Sequence, residues 1–358
     1  MEQLGQEPPP PSATTYHAGR RGRRGADRAD RAAGTGRRPR RWLRRILLAL
    51  LVVVVLLVAG AAALYLWAGG QVRHVAAIGT YPGRPAAGAG TNWLLVGSDS
   101  RAGLTAQQRK ELHVGNDGGR NTDTVMVLHT GAHGPSLVSL PRDSYVPVPG
   151  HGRRKINEAY ADGGPQLLTR TVEQATGLRI ERYAEVNFLG LVQVVDALGG
   201  VRICPEKPLK DARSGADFRA GCQHVDGRQG LAYARARYSD PQGDLGRVTR
   251  QRQLMAAVAD RMLGTGMLLH PSRPVPVVRT TLAAIRVDDG AGMRQLWDLG
   301  WSMRKITGGA GRAVTVPVAR PGVSVSGAGD VLLWDTPRAR LLFQALHRDD
   351  PIPTSVTN

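Results

Sequence analysis

NWLLVGSDSR, residues 92–101, decides the fold class. Its apolar residues run unbroken from Trp93 to Val96 and stop at Gly-Ser-Asp. A short apolar run halted by turn residues reads as a strand. The lack of polar alternation predicts a strand covered on both faces. TVMVLHT (124–130) and SLVSLPRD (136–143) have the same character. ERYAEVN and GVRICP read as strands on either side of a helix, LGLVQVVDALGG (189–200). GPQLLTRTVEQATG (164–177) is spaced as another helix, and glycine closes both. GRVTRQRQLMAAVADRMLG (246–264) is a long helix, with Asp244 placed to cap it. Residues 276–285, 292–306 and 336–348 are helical in spacing, and AVTVPVA and VLLW add late strands. Strands alternating with helices predict an α/β fold over residues 92–350, a central mixed β-sheet flanked by helices.

The N-terminal part has a different composition. Residues 1–45, with PPPP, RRGRR and RRPRR, have no apolar periodicity and read as a disordered basic tail. Ile46–Trp67 carries no charge, and at 1.5 Å per residue it spans the roughly 30 Å of a bilayer core. That length exceeds the apolar core of a cleaved signal, so residues 46–68 read as one transmembrane signal anchor. Arg40, Arg41, Arg44 and Arg45 precede it and only Arg73 follows closely. The positive-inside rule then puts the N-terminus in the cytoplasm and the main domain outside the cell membrane. GTYPGRPAAGAGT lies in a Gly/Pro stalk over 69–91.

The formal net charge is +19, which favours an anionic partner. Arginine abundance can simply reflect genome composition, since only five of the 48 basic residues are lysine; arginine position is more informative. Cys204 and Cys222 are the two cysteines, both in the exported part, where a disulfide is allowed. The alternative is a pair of free buried thiols. With no clustered histidines they make no zinc site.

In YARARYSDPQGDLGRVTRQRQ (233–253), the period of two in AYARARY reads as extended chain with Arg235 and Arg237 on one side. After a Pro/Gly turn, Arg247, Arg250 and Gln251 share one face of a helix start. Guanidinium forks at a helix N-terminus suit phosphate oxygens; a surface ion-pair network with local acids is the other reading. GSDSR (97–101) and NTDT (121–124) place Asp99 and Asp123 at the ends of neighbouring strands, where α/β proteins bind ligands. Two carboxylates beside arginines suit a Mg²⁺ ion that keeps several waters and takes phosphate oxygens. PRDS (141–144) adds Arg142, and KINEAY (155–160) adds Lys155 at a helix start.

NWLLVGSDSR, NTDTVMVLHT, SLPRDSYVPVPG, KINEAYADGGP, FLGLVQVVDALGGV, LAYARARY and DLGRVTRQRQ, in that order, resemble the LytR-CpsA-Psr family over about residues 90–265. The resemblance implies an extracytoplasmic α/β fold with an apolar groove for a polyprenyl chain. It implies a Mg²⁺-dependent phosphotransferase that moves a glycopolymer from a polyprenyl-pyrophosphate carrier to a peptidoglycan hydroxyl, leaving a phosphodiester. Asp99 and Asp123 match the family's metal site. Arg142, Arg235, Arg237, Arg247 and Gln251 match its pyrophosphate contacts, joined by Lys155 and Arg250; Asp99, Asp123 and Arg237 are the expected catalytic residues. The polar insert at 102–120 reads as a lid or a surface loop, and the tail past 270 is poorly matched. A pyrophosphatase acting on the same carrier, a non-catalytic wall-polymer binder and a membrane-bound transcriptional regulator are the alternatives. Nucleic acid is not an expected partner.

Overall fold

The computed structural model describes residues 39–99, 105–113, 122–237, 244–264 and 274–357. The chain divides into two units, Met1–Gly60 and Ala61–Asn358. Helix α1 (Pro39–Gly69) begins in the first unit and ends in the second. Its portion Arg41–Gly69 is long and apolar enough to cross a membrane. The helix therefore starts before the expected residue 46, and the rest of the expected tail, 1–38, lies outside the described residues.

The second unit opens with β1 (Arg73–His74), β2 (Thr91–Ser98), α2 (Ala106–Glu111), β3 (Thr122–Thr130), β4 (Ser136–Leu140), β5 (Tyr145–Val148) and β6 (Gly152–Lys155). Then come α3 (Ile156–Thr176), β7 (Arg182–Asn187), α4 (Phe188–Ala197), β8 (Val201–Ile203), β9 (Leu209–Asp211), β10 (Ala216–Phe218), β11 (Gln223–Val225) and α5 (Gly227–Arg235). It continues with α6 (Asp244–Leu263), α7 (Pro274–Ala284), β12 (Ile285–Val287), α8 (Met293–Thr307) and β13 (Arg312–Thr315). It closes with β14 (Val318–Val325), β15 (Gly329–Trp334), α9 (Thr336–Arg348) and α10 (Thr354–Thr357).

Among the described residues a seven-stranded sheet has the order β1-β12-β7-β2-β3-β4-β13. β2 is parallel to β7 and antiparallel to β3, so the sheet is mixed, as its alternation with helices foretold. The apolar run of β2 is buried on both faces. Leu94 and Val96 join Val125, Val127 and Val138 in a cluster with Leu168 and Val172 of α3 and Leu342 and Phe343 of α9. Trp93 and Leu95 face the other way and pack with Met126, Leu128 and Leu137, together with Ala259 of α6 and Met303 of α8. Successive side chains on a strand point to opposite faces, so one run serves both cores.

α3 begins at Ile156, directly after Lys155 as KINEAY predicts, and runs on across a kink at Gly163 and Gly164 into the helix expected at 164–177. Gly164 has φ +63°, open to glycine, and Pro165 restarts the helix where a missing N–H does no harm. The expected stalk is folded onto the domain. β1 pairs with β12, Ala77 is fully buried, and the Ala89 N–H donates to the His347 carbonyl at 2.9 Å. Tyr81 and Arg84 hydrogen-bond to the buried Glu173 carboxylate at 2.7 and 2.9 Å. Glycine and proline signal a linker by composition, but Tyr81 and Arg84 supply long-range contacts that composition hides.

Cys204 and Cys222 are joined by a disulfide. It closes the loop that carries the β9–β10 hairpin, beside a third apolar cluster formed by α4, α5 and α6 around Val195, Tyr233 and Leu254.

Candidate functional site

The ends of β2, β4 and β7 and the start of β3 lie along one sheet edge, as their registers require. Gly97 pairs with Thr124 and Ser98 with Thr122, which leaves Asp123 as the extra residue of a β-bulge. A bulge re-aims a side chain that regular pairing would hold in the pleat. Asp99 follows Ser98 directly, so both aspartates belong to the same edge.

The end of β2 is fixed by a buried carboxylate. Glu185 accepts hydrogen bonds from Ser98 Oγ at 3.1 Å, the Tyr160 hydroxyl at 2.7 Å and the Tyr183 hydroxyl at 2.9 Å, and Arg286 lies 3.7 Å away. Burial, then the Glu185 charge, push the Tyr160 hydroxyl well above its ordinary pKa, so it stays a donor. This network pins Ser98 and hence the position of Asp99.

After β4 the chain turns through Pro141–Ser144, with the Ser144 N–H donating to the Pro141 carbonyl at 2.9 Å. Arg142 and Asp143 are the two central residues of the turn. The first turn of α3 packs against it: the Asn157 N–H donates to the Arg142 carbonyl at 3.3 Å and the Ile156 N–H to that of Ser144 at 2.9 Å. Such N–H groups have no acceptor within their own helix. Lys155 is the N-cap residue of α3.

These elements bring five charged groups into one row. Arg142 Nη1 donates to Asp123 Oδ1 at 2.8 Å, and Arg247 Nη1 stands 3.9 Å from the same oxygen. On the other side Asp143 lies 3.5 Å from Arg142 Nε and 3.3 Å from Lys155 Nζ. The Arg142 side chain is 24% exposed and that of Arg247 6%, so the row has a solvent-facing side and a buried side. Asp143 was missed in the sequence reading, although it stands in the quoted PRDS.

Arg247, Arg250 and Gln251 occupy the first two turns of α6, and all three are buried. Arg250 Nη2 hydrogen-bonds to the Ala236 carbonyl and so ties α6 to the end of α5. The side chain of Asp244 and the turn 238–243 lie outside the described residues.

AYARARY is not extended. α5 runs through Arg235, with Asp226 capping its start; Ala236 and Arg237 follow it, and Tyr238 lies outside the described residues. Alternating alanine and arginine have good helix propensity, and Leu231, Ala232 and Ala234 bury the inner face. Arg235 and Arg237 therefore do not share one side of a strand. Arg235 Nη1 donates to the carbonyls of Leu112 and His113 at 3.1 and 3.2 Å, and its guanidinium lies 5.2 Å from the Phe188 ring centre. The Arg237 N–H donates to Asp211 Oδ2 at 2.6 Å. Of the insert, residues 102–104 and 114–120 lie outside the described residues. The rest forms α2, held by Arg235 and by Leu112, which packs with Phe188 and Leu231.

The donor set suits a hard cation. Asp99 and Asp123 offer carboxylate oxygens, and no cluster of three or more His, Cys, Asp or Glu exists among the described residues. Two carboxylates leave room for waters and phosphate oxygens, the preference of Mg²⁺ and not of zinc. Thr122 Oγ1 and Gln251 Oε1 are buried without a hydrogen-bonding partner among the described residues, and such groups call for one from elsewhere.

Residues 74–340 match the LytR_cpsA_psr family. The chain belongs to that family. It is 44% identical over 283 residues to the probable cell wall biosynthesis protein LcpB of Corynebacterium glutamicum, covering 78% of this chain and 66% of that one. It is 42% identical over 129 residues to the polyisoprenyl-teichoic acid–peptidoglycan teichoic acid transferase TagU of Enterococcus faecalis, covering 36% of this chain and 42% of that one. Each of these relatives is thus matched over less than two thirds of its own length. The solved LytR-Csp2A-Psr enzyme from Actinomyces oris superposes with a TM-score of 0.60 at 20% identity, covering 77% of this chain and 97% of that one. This likeness shows that the α/β fold is that of LytR_cpsA_psr proteins.

Proposed function

We propose that this family member is a phosphotransferase that moves a glycopolymer from a polyprenyl-pyrophosphate carrier to a hydroxyl of peptidoglycan. The observation that carries the reading is the row Arg247–Asp123–Arg142–Asp143–Lys155 at the sheet edge, beside Asp99 and the buried Arg250 and Gln251. The names of relatives, cell wall biosynthesis protein and teichoic acid transferase, support the substrate class. The apolar helix supports a membrane location, and the arginines before it favour a cytoplasmic N-terminus.

The diphosphate lies along Arg142, Arg247 and Lys155, with Arg235, Arg237, Arg250 and Gln251 completing the site. The hydroxyl oxygen attacks the phosphorus that bears the glycan. Its bond to the bridging oxygen breaks, and polyprenyl phosphate leaves with the negative charge. Guanidinium groups fixed before reaction stabilise that charge without reorganising. The hydroxyl proton passes to a carboxylate at the edge, Asp99 or Asp123. Asp99 and Asp123 would hold Mg²⁺, which when bound neutralises phosphate charge.

The test is transfer from a synthetic polyprenyl-pyrophosphoryl sugar to peptidoglycan oligomers, with Arg237→Ala and Asp99→Ala beside the unaltered chain. Losses of about 10²-fold or more are expected. Losses under about threefold in both would defeat the assignment. Release of phosphate-terminated glycan without acceptor, at an undiminished rate, would mean hydrolysis instead.

A further inference from the structure

α8 presents an outward stripe that ordinary solvation does not explain. Its inner side packs through Leu296, Leu299, Met303 and Ile306 on the cluster beneath the sheet. Its outer side carries Arg294, Trp297, Asp298, Trp301 and Lys305, at spacings that keep them on one helix face. Trp297 is 62% exposed and Trp301 47%. Outside α1, the only other exposed large apolar side chains among the described residues are Val275 and Leu341. The two indoles are nearly parallel, 10° between planes and 6.5 Å between centres, and Arg304 lies 5.3 Å from the Trp301 ring centre. Such exposed aromatics mark contact surfaces.

We propose that this face of α8 rests in the interface of an anionic lipid bilayer. Three observations select lipid over other occupants. Indoles flanked by Arg and Lys are the chemistry of the headgroup layer, where the ring is buried and the cation meets phosphate. The stripe and its neighbour Arg304 hold three cations to one acid, complementary to anionic headgroups. The third is position. The apolar helix ends at Gly69, and Val72 packs on the same cluster as Leu296 and Leu299. β1, starting at Arg73, pairs with β12, the strand just before α8. The Trp-bearing helix thus adjoins the place where the chain leaves its apolar helix.

The inference rests on the reading of α1 as a membrane helix, and the test separates the two. The full chain is reconstituted in phosphatidylcholine/phosphatidylglycerol vesicles with and without brominated acyl chains. Emission of a Trp297→Phe/Trp301→Phe variant is subtracted from that of the unaltered chain, which isolates the pair. The difference emission should fall at least twofold in brominated vesicles, and this quenching should weaken when phosphatidylglycerol is omitted. Equal difference emission with and without bromine, in protein that still floats with the vesicles, overturns the proposal and leaves the anchor standing. Protein that fails to float overturns both. Difference emission indifferent to bromine but altered by soluble peptidoglycan glycan strands overturns it in favour of a sugar platform.

Discussion

Replacing Arg142 with alanine tests the site most directly. The change removes a 2.8 Å hydrogen-bonded ion pair to Asp123 and a 3.5 Å contact to Asp143. The fold should tolerate it. The Arg142 side chain is about a quarter exposed, between the exposed pairs that contribute about 0.2–1 kcal/mol and the buried ones whose rupture costs about 3–5 kcal/mol. A loss of about 1–3 kcal/mol lowers Tm by several degrees in a domain of this size. Transfer should suffer far more. A fixed donor aimed at developing phosphate charge contributes about 10²–10³ in rate, or about 2.7–4 kcal/mol. If the contact strengthens only as polyprenyl phosphate departs, kcat and kcat/KM fall together. Arg142→Lys keeps the charge but loses the planar fork, and should fall between. The assay is initial-rate transfer from the synthetic carrier, with Tm measured on the same samples. A folded Arg142→Ala chain within threefold of the unaltered kcat/KM would refute the reasoning.

Other outcomes follow from features away from the row. Glu173→Ala leaves the Arg84 guanidinium without its buried partner, and should cost about 3–5 kcal/mol and expose the 73–90 segment to limited proteolysis. Reduction of Cys204–Cys222, or its replacement by serines, should lower stability by about 3 kcal/mol, read as a Tm drop of roughly 5–10 °C. Burial alone would raise the Asp349 carboxyl, but hydrogen bonds from the Ala132 N–H and from His129 outweigh it and hold its pKa below the ordinary carboxylate value. Its contribution is therefore present above the unfolded pKa and lost as pH falls through the folded one. Tm against pH for Asp349→Asn should differ most from the unaltered chain near neutrality and converge with it in acid.

The central sheet was legible because β2, β3 and β4 carry short apolar runs that pack on both faces. The site was legible where it depends on strand ends and helix spacing, as with Asp123, Arg142 and the Arg247–Gln251 face. It was illegible where local propensity and local pattern disagree. AYARARY has the period of a strand, yet its alanines pack as a helix and its arginines part company. Asp143 went unread, because its place between Arg142 and Lys155 comes from the 141–144 turn packing against the start of α3, a contact that no local pattern announces. The stalk looked like a linker because its contacts reach Glu173, Val287 and His347, far along the chain.

The pairing of β1 with β12 joins Arg73 to Arg286. That edge of the sheet cannot close until more than two hundred further residues have been synthesised. The opposite edge waits for β13 at 312–315. Long-range pairings of this kind form slowly. Until then β7 and β4 are each open along one side, a template for pairing with a neighbouring chain. The Cys204–Cys222 loop, by contrast, is short enough to close early. Folding of this domain should therefore be one of the slower steps in its biogenesis, and the interval before both edges close is when a chaperone or a protease would find it.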